Sequence, residues 1–235
     1  MQRSSKLRLI LAVLTFIVGA ATTFLLDPSI RQQISQSSST PKSAARATAT
    51  GDAATVLNEL TVKGRAPKTG YTRAQFGDGW DSIQGCDTRN SILKRDLTNS
   101  VTNEKCQVVS GTLNDPYTGS VIVFKRGETS SSDVQIDHVV ALSDAWQKGA
   151  QQLSLVQRET LANDPLELLA VDGTANQQKS DGDAATWLPP NKPFRCQYVA
   201  RQVAVKKKYT LWVTAAEKDA ITGVLSTCPG QLLPS

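Results

Sequence analysis

The stretch Val134-Gln-Ile-Asp-His-Val-Val-Ala141 decides the fold, together with the two segments that follow it along the chain. It is rich in β-branched residues and predicts a strand. Leu166 to Val171 predicts a second short strand, which ends at the turn pair Asp172-Gly173. Thr174 can then cap a helix that begins at the next residue. The chain is thus expected to run strand, strand and helix around an Asp-His pair.

Beyond this stretch, helices and short hairpins are mixed without a strand–helix–strand rhythm. Asp115-Pro-Tyr-Thr-Gly119 is a turn sequence between two strands. Thr214-Ala-Ala-Glu217 has the pattern of a capping box and predicts the start of the last helix. These elements predict the α+β class. The other predicted elements are a short helix or turn at 56–60, an irregular aromatic loop at 71–80, helices at 89–97, 143–161 (interrupted at 149) and 197–209, and strands near 108 and at 120–124.

The positive charge of the chain lies at its N-terminal end. The formal net charge is +5 at pH 7, and the first 50 residues contain six basic residues and one acidic residue. Residues 51–235 therefore carry 20 basic and 20 acidic side chains and are neutral. The overall charge does not indicate a nucleic-acid partner, so only a local cluster can do so.

One such cluster exists, because no acidic residue lies between Asp183 and Glu217. The segment is either a solvated helix face or an electrostatic footprint for phosphates, and the sequence leaves both interpretations open. For the second interpretation, Lys206 and Lys207 are the candidate nucleic-acid contacts. The basic residues of the segment are Lys192, Arg195, Arg201, Lys206, Lys207 and Lys208.

The N-terminal end has the features of an export or anchoring segment. Leu9 to Leu26 is an 18-residue stretch without a charge, preceded by Arg3, Lys6 and Arg8. It reaches the lower limit for a membrane-spanning helix and exceeds the usual core of a cleaved signal peptide. Residues 1–26 are therefore expected to be an uncleaved membrane anchor, with a cleaved signal sequence as the alternative. Both place the remaining chain outside the cytoplasm.

Residues 27–55 separate this segment from the part that is expected to fold. They are rich in Ser, Thr, Ala and Gln and contain almost nothing to bury. Such a composition is typical of a flexible tether. The folded domain is accordingly expected over residues 56–235.

Four cysteines fit a compartment outside the cytosol, because disulfides persist there. They allow three connectivities. The pairs Cys86–Cys106 and Cys196–Cys228 close the shortest loops and are preferred, and they would stabilise the periphery of the domain. A structural zinc site is the alternative, although no two cysteines form a CxxC knuckle.

His138 is the only histidine of the chain. Its uniqueness excludes HExxH zinc proteases and every site that needs two histidines. A neutral imidazole can accept a proton at pH 7, which Lys and Arg cannot do. Consecutive strand residues point to opposite faces, so Asp137 and His138 can share one pocket only where the strand ends or bulges.

Two runs of sequence carry a family resemblance. They are Asp137-His-Val-Val-Ala-Leu142 and Asn163-Asp-Pro-Leu-Glu-Leu-Leu-Ala-Val-Asp-Gly-Thr-Ala-Asn-Gln-Gln-Lys-Ser-Asp181. The chain resembles the HNH, or ββα-metal, endonucleases, and within them the exported bacterial proteins related to the C-terminal domain of GmrSD-type restriction enzymes. The likeness covers roughly Tyr71 to Cys228. It extends to the segments Gly85–Asn90, Asp115–Gly119 and Trp187–Pro190.

The resemblance implies a ββα-metal core with added helices and a role for each matching residue. Asp137 and Asn176 would ligate one divalent metal ion, Mg²⁺ or Mn²⁺, and His138 would be the general base that activates water. Lys179 and Arg89 would contact phosphate. The alternative for Lys179 is an exposed helix residue, and the alternative for Arg89 is a buried ion pair with an acid such as Asp87 or Asp96.

One position departs from the family pattern. The middle Asn, which braces the metal-binding loop, falls about nine residues before Asn176, and this chain has Glu167 there. A carboxylate accepts backbone hydrogen bonds but does not donate as an amide does. Asn163 could supply the brace instead.

The sequence therefore predicts an extracytoplasmic endonuclease that cuts DNA, with RNA as a second substrate. The nucleic acid and, if residues 9–26 stay uncleaved, the membrane are its expected partners, and no protein partner is evident. The rival hypothesis is a cell-surface binding protein that keeps the fold without catalysis. A metal-independent Ser or Cys hydrolase is the weakest reading, because the cysteines are expected to be oxidised and no GxSxG elbow exists.

Overall fold

A computed structural model describes residues 51–83, 85–127 and 131–234 of the chain. The predicted anchor or signal at 1–26 and residues 27–50 of the predicted tether lie outside these residues. Within the described ranges, no helix is long and apolar enough to cross a membrane. The first helix, α1, spans Ala53–Glu59, so it begins inside the last residues of the expected tether. It starts there because the Asp52 carboxylate accepts the Thr55 N–H at 2.9 Å and caps the helix.

Helices and antiparallel sheets are mixed along the chain, which confirms the α+β class. The predicted long helix at 143–161 is divided at Gly149, whose φ of 122° a helix cannot contain. The helices after α1 are α2 (Thr88–Asp96), α3 (Leu142–Gln147), α4 (Leu155–Ala162), α5 (Gly173–Lys179), α6 (Arg195–Lys208) and α7 (Ala215–Leu225), with 3₁₀ turns at Arg73–Phe76, Ala150–Gln152 and Lys192–Phe194.

The strands form three small antiparallel sheets in the described part of the chain. The predicted hairpin around Asp115–Gly119 is present and gains a third strand that the sequence analysis did not predict. The sheets consist of β1 (Ser82–Ile83) with β2 (Cys86–Asp87), β4 (Val108–Asn114) between β3 (Thr98–Thr102) and β5 (Val121–Lys125), and β6 (Val134–His138) with β7 (Leu168–Asp172).

The hairpin of β6 and β7 carries the Asp-His pair at its end. Asp137 pairs with Leu169 and His138 with Leu168 in a regular register. The first strand is shorter than predicted, because β6 ends at His138 and the next three residues lead into α3. The strand end therefore coincides with the pair.

Helix α5 follows β7 without a loop and completes a β6–β7–α5 unit. It begins at Gly173 rather than after Thr174, and Asp172 is its cap, accepting the Ala175 N–H at 2.7 Å. A Cβ atom at Gly173 would lie 2.1 Å from the Ser132 carbonyl oxygen, so only glycine allows this approach. The close contact lays α5 directly against β6.

Apolar side chains bury both faces of the β6–β7 hairpin. Leu169 and Val171 belong to the larger cluster, which includes residues of α1, α3, α6 and α7. Ile136 and Leu168 belong to the smaller cluster, which includes residues of α2 and β4. Because alternate strand residues face opposite sides, Asp137 points toward the larger cluster and His138 toward the smaller one.

Both preferred disulfides are present. Cys86–Cys106 ties β2 to the segment before β4, and Cys196–Cys228 ties α6 to the segment after α7. The capping box at Thr214 is also confirmed, since its side chain accepts the Glu217 N–H at 3.1 Å and opens α7. These links stabilise elements that surround the β6–β7–α5 unit.

Candidate active site

Asp137 lies almost buried between α5 and the turn before β5. The Lys179 ammonium donates to its Oδ1 at 2.9 Å, and the Tyr117 hydroxyl donates to its Oδ2. Burial raises the pKa of Asp137, while Lys179 and Tyr117 oppose that shift. Two donors from separate elements thus hold this carboxylate in one orientation.

His138 has a different environment from its neighbour. Its Nε2 lies 3.0 Å from the Ala162 carbonyl oxygen, and its ring stacks on Trp80 with centroids 5.7 Å apart and planes 4° apart. A carbonyl can only accept, so Nε2 carries the hydrogen and Nδ1 is the basic atom. Over the described ranges, Nδ1 has no hydrogen-bond partner.

The His138 ring is held in its neutral form. Burial, the largest cause, and the positive charges of Arg73 and Lys179 together lower the pKa of His138 to about 3, although the bond to Ala162 opposes the shift. Arg73 is exposed at the start of the 3₁₀ turn Arg73–Phe76. The ring therefore presents an unprotonated nitrogen at pH 7.

Lys179 connects the two sides of the pair. Its ammonium donates to the His138 carbonyl oxygen at 2.8 Å as well as to Asp137. It is 2% exposed, so it is not the exposed helix residue of the alternative interpretation. The predicted phosphate contact is also wrong for this conformation, because the ammonium is enclosed by its internal acceptors.

Asn176 lies one helical turn before Lys179, on the same side of α5. Its amide nitrogen donates to the Gln135 side-chain oxygen at 2.9 Å. Gln135 and Asp137 share a face of β6, so Asn176 and Asp137 lie along the same side of the hairpin. The bond to Gln135 turns the Asn176 amide so that its oxygen, which has no hydrogen bond to any described residue, stays available as an acceptor.

The donor chemistry of this side suits a hard divalent cation. One carboxylate and one amide oxygen are ligand types that Mg²⁺ accepts, with water or substrate oxygens in the other positions. In the described part of the chain, no group of three or more His, Cys, Asp or Glu side chains could hold an ion. Any ion at Asp137 and Asn176 would therefore have few protein ligands.

Arg89 does not form the ion pair that was its alternative role, and its phosphate contact stays a prediction. Its guanidinium donates to the backbone oxygens of Val134 at 3.2 Å and Ser131 at 3.4 Å. Asp96 pairs with Arg95, and the Asp87 carboxylate caps α2, so neither forms an ion pair with Arg89. Burial lowers the pKa of Arg89, with Arg126 acting in the same direction. Arg89 fastens the segment that enters β6.

The acid-free segment is not an open cationic surface. Lys206 is fully buried and pairs with Glu217 at 3.0 Å, so the prediction that it binds nucleic acid is wrong. Lys207 is exposed and pairs with Glu59 at 2.7 Å, and its nucleic-acid role stays a prediction. Acids from other elements thus neutralise the three consecutive lysines at 206–208, which looked unpaired along the chain.

Glu167 supplies the brace that its position in the family pattern calls for. It is fully buried, and both carboxylate oxygens lie 3.2 Å from the Val140 N–H. Its backbone oxygen accepts the Val139 N–H at 2.9 Å. Asn163 instead accepts the Asp81 N–H at 2.9 Å and so holds the Trp80 loop. Burial raises the pKa of Glu167 well above its ordinary value.

Replacing Glu167 tests this brace. Glu167→Ala leaves the buried Val140 N–H unpaired and is expected to lower the free energy of unfolding by about 1–3 kcal/mol. Glu167→Gln keeps an accepting oxygen and should lose clearly less. Urea denaturation measures both, with Glu104→Ala, an exposed acid in the turn before β4, as the control that stays within about 0.5 kcal/mol. Equal losses for Glu167→Ala and the control would contradict the brace.

The sequence analysis missed several residues of the site. Tyr117 was recognised only as part of a turn, and Trp80 only as part of an aromatic loop. Each contacts its partner across a long stretch of chain, and no local pattern announces such contacts. The Ala162 carbonyl is a backbone group and has no sequence signal at all. For Arg73, whose guanidinium is exposed, the sequence did offer a signal: it is a basic residue next to aromatic residues, and no partner had been assigned to it.

The sequence of the chain is similar to that of known proteins. A family model described as GmrSD restriction endonucleases, C-terminal domain, matches residues 87–224. An uncharacterised secreted protein of Arthroderma benhamiae is 41% identical over 179 residues, which cover 75% of this chain and 84% of that protein. No solved structure gives a significant match to the chain.

Proposed function

Because the chain belongs to the family of GmrSD restriction endonuclease C-terminal domains, we propose that it is a metal-dependent endonuclease with a ββα-metal core that hydrolyses phosphodiester bonds of DNA. One observation carries the proposal. The His138 ring is fixed by Trp80 and Ala162 with its basic Nδ1 left without a partner among the described residues. A general base needs such an unengaged, neutral nitrogen.

In this proposal His138 takes a proton from the water molecule that attacks phosphorus. The proton arrives at Nδ1, and the Nε2 hydrogen bond to Ala162 persists in the imidazolium and stabilises it. Arg73 disfavours that imidazolium while its charge is uncompensated. A substrate phosphate beside Arg73 would offset the charge and make His138 a stronger base.

Asp137 and Asn176 would hold the ion, Mg²⁺ or Mn²⁺. Bound there, it would supply a Lewis acid that polarises the phosphate and stabilises the leaving oxygen. Lys179 favours the charged form of the Asp137 carboxylate, since its ammonium opposes the effect of burial, which raises the pKa of Asp137. Each carboxylate oxygen has a second lone pair besides the one used by Lys179 or Tyr117, so an ion can share the group.

We place the activity outside the cytoplasm, with DNA as the preferred substrate and RNA as a second one. The two disulfides and the secreted relative support this compartment. The charge-free N-terminal stretch supports export, either as an anchor at 9–26 that binds the membrane or as a signal sequence.

A surface binding protein without catalysis is the alternative. It is favoured by the occupation of both Asp137 oxygens by Lys179 and Tyr117, a state that needs no ion. The two functions differ in metal binding, since an ion that binds only the folded chain raises its melting temperature.

Plasmid cleavage tests the proposal directly. The purified full-length protein should nick and linearise supercoiled DNA with Mg²⁺ or Mn²⁺ and should lose this activity in excess chelator. Asp137→Asn should abolish both cleavage and the metal-dependent rise in melting temperature, while Glu104→Gln should keep both. Undiminished cleavage in chelator would refute the metal mechanism, and absence of cleavage and of any thermal shift would favour the binding protein.

A further inference from the structure

The turn before β5 is anchored to Asp172, the last residue of β7, at the end of the β6–β7 pair opposite to His138. The Asp115 carboxylate accepts the Thr118 N–H at 2.6 Å through Oδ2 and the Asp172 N–H at 2.8 Å through Oδ1. From the other side, Asn191 donates its side-chain amide to the Pro116 carbonyl oxygen at 3.0 Å. The backbone on both sides of the residue at position 117 is therefore fixed by two segments that are distant in sequence.

That residue, Tyr117, has a fully buried ring within an aromatic cluster. The ring centroid lies 5.0 Å from Trp187, 5.7 Å from Tyr198 in an edge-to-face contact, and 6.3 Å from Phe194. This packing holds the Tyr117 ring in a single position. The hydroxyl at its tip donates to Asp137 Oδ2. Burial raises the pKa of Tyr117 well above its ordinary value, so the hydroxyl remains a donor.

Tyr117 acts on the carboxylate opposite to Lys179. Lys179 holds Oδ1 from α5, and Tyr117 holds Oδ2 from the turn, so rotation of the carboxylate about its bond to the side chain is blocked from both sides. Neither donor consumes both lone pairs of its oxygen. The arrangement fits a group that is oriented in advance for a cation.

We propose that Tyr117 is a positioning residue that sets the affinity of the Asp137 site for its divalent cation, without touching the ion or the substrate. This inference rests on the proposed function of Asp137 as a metal ligand. Partners that orient a metal ligand typically contribute a factor of about 10 to 100 in metal affinity. The hydroxyl of Tyr117 is the atom through which the residue hydrogen-bonds to Asp137.

Tyr117→Phe removes that oxygen and keeps the ring. We expect the Mn²⁺ concentration that half-saturates the rise in melting temperature to increase about 10- to 100-fold. The Mn²⁺ concentration for half-maximal plasmid cleavage should increase in parallel, whereas the cleavage rate at saturating Mn²⁺ should fall much less. A role limited to packing would not change the half-saturating concentration.

Tyr198→Phe is the matched control. Tyr198 is equally buried in the same cluster, but its hydroxyl accepts from Gln202 at 3.0 Å and does not donate to Asp137. Its variant should keep the wild-type Mn²⁺ affinity. Equal affinities for both variants would overturn the role of Tyr117, and so would a Tyr117→Phe protein that no longer folds, since the hydroxyl would then be a structural requirement. If the wild-type protein itself bound no Mn²⁺, the proposed function would fail with it.

Discussion

His138→Ala is expected to lower the rate of plasmid cleavage by about 100- to 10,000-fold, the usual contribution of a general base. The variant removes the only imidazole of the chain. Among the described residues, no other side chain with an unpaired nitrogen stacks on Trp80. Gel-based rates at saturating Mg²⁺ measure the loss. Because Asp137 and Asn176, and not His138, are the proposed ligands of the ion, the variant should retain its metal-dependent rise in melting temperature.

Retained metal binding makes this experiment specific. A variant that loses both cleavage and metal binding has lost the site as a whole, whereas loss of cleavage alone isolates the proton transfer. Added imidazole should restore part of the rate, because removal of the ring opens a space of its own shape between Trp80 and Ala162. Cleavage at the wild-type rate in His138→Ala would refute the proposed role.

Lys148→Met is expected to lower the free energy of unfolding by about 3–5 kcal/mol. Lys148 is fully buried, and its ammonium lies 2.8 Å from Asp144, 2.7 Å from Asp183 and 2.7 Å from Glu217. Arg65 and Lys206 complete a network in which three cations face three carboxylates. Removal of one cation leaves a carboxylate uncompensated in the interior, and that imbalance is what destabilises the variant.

Within this network, pairing outweighs the effect of burial on the pKa values of Lys206 and Asp183. Burial alone would lower the pKa of Lys206, yet Glu217 and Asp144 raise it above its ordinary value. Burial would likewise raise the pKa of Asp183, and the bond from Lys148 lowers it. The three carboxylates belong to α3, to the segment after α5 and to α7, so the network joins elements that are remote in sequence.

Thermal and urea denaturation measure the effect of Lys148→Met. For a domain of this size, the expected loss corresponds to a fall in melting temperature of about 6–20 °C. Lys207→Met is the matched control, since its exposed pair with Glu59 should contribute no more than about 1 kcal/mol. Adding Glu217→Gln to Lys148→Met restores the charge balance, so the double variant should lose less than the sum of the two single variants. Equal losses for the two lysine variants would contradict the network.

Much of the local structure was predictable from residue order. The strand at Val134, the divided helix around Gly149 and the capping box at Thr214 rest on spacing, glycine geometry and side-chain caps, all of which act within a few residues. Element ends were less certain. Asp172, not Thr174, caps α5. The helix begins at Gly173, because only a glycine at this position can lie so close to the Ser132 carbonyl oxygen.

The candidate site was predictable only in part. Asp137, His138 and Asn176 carry a recognisable pattern, and the structure lays Asp137 and Asn176 along one side of the hairpin. The separate environments of Asp137 and His138 follow from the regular register of β6, which the sequence left open. Tyr117 and Trp80 belong to the site through contacts with residues that are distant in sequence, and no local pattern encodes such contacts.

By itself, the sequence determined the α+β class, the order of strand, strand and helix around the Asp-His pair, and the family. Only the tertiary structure decided what the charged side chains do. Lys206, Lys207 and Lys208 are consecutive, yet the first is buried against Glu217, the second is exposed beside Glu59 and the third pairs with Asp164 at 2.5 Å. A helix turns about 100° per residue, so neighbours along the chain face different elements. The packing of those elements therefore determines which carboxylate lies beside each lysine.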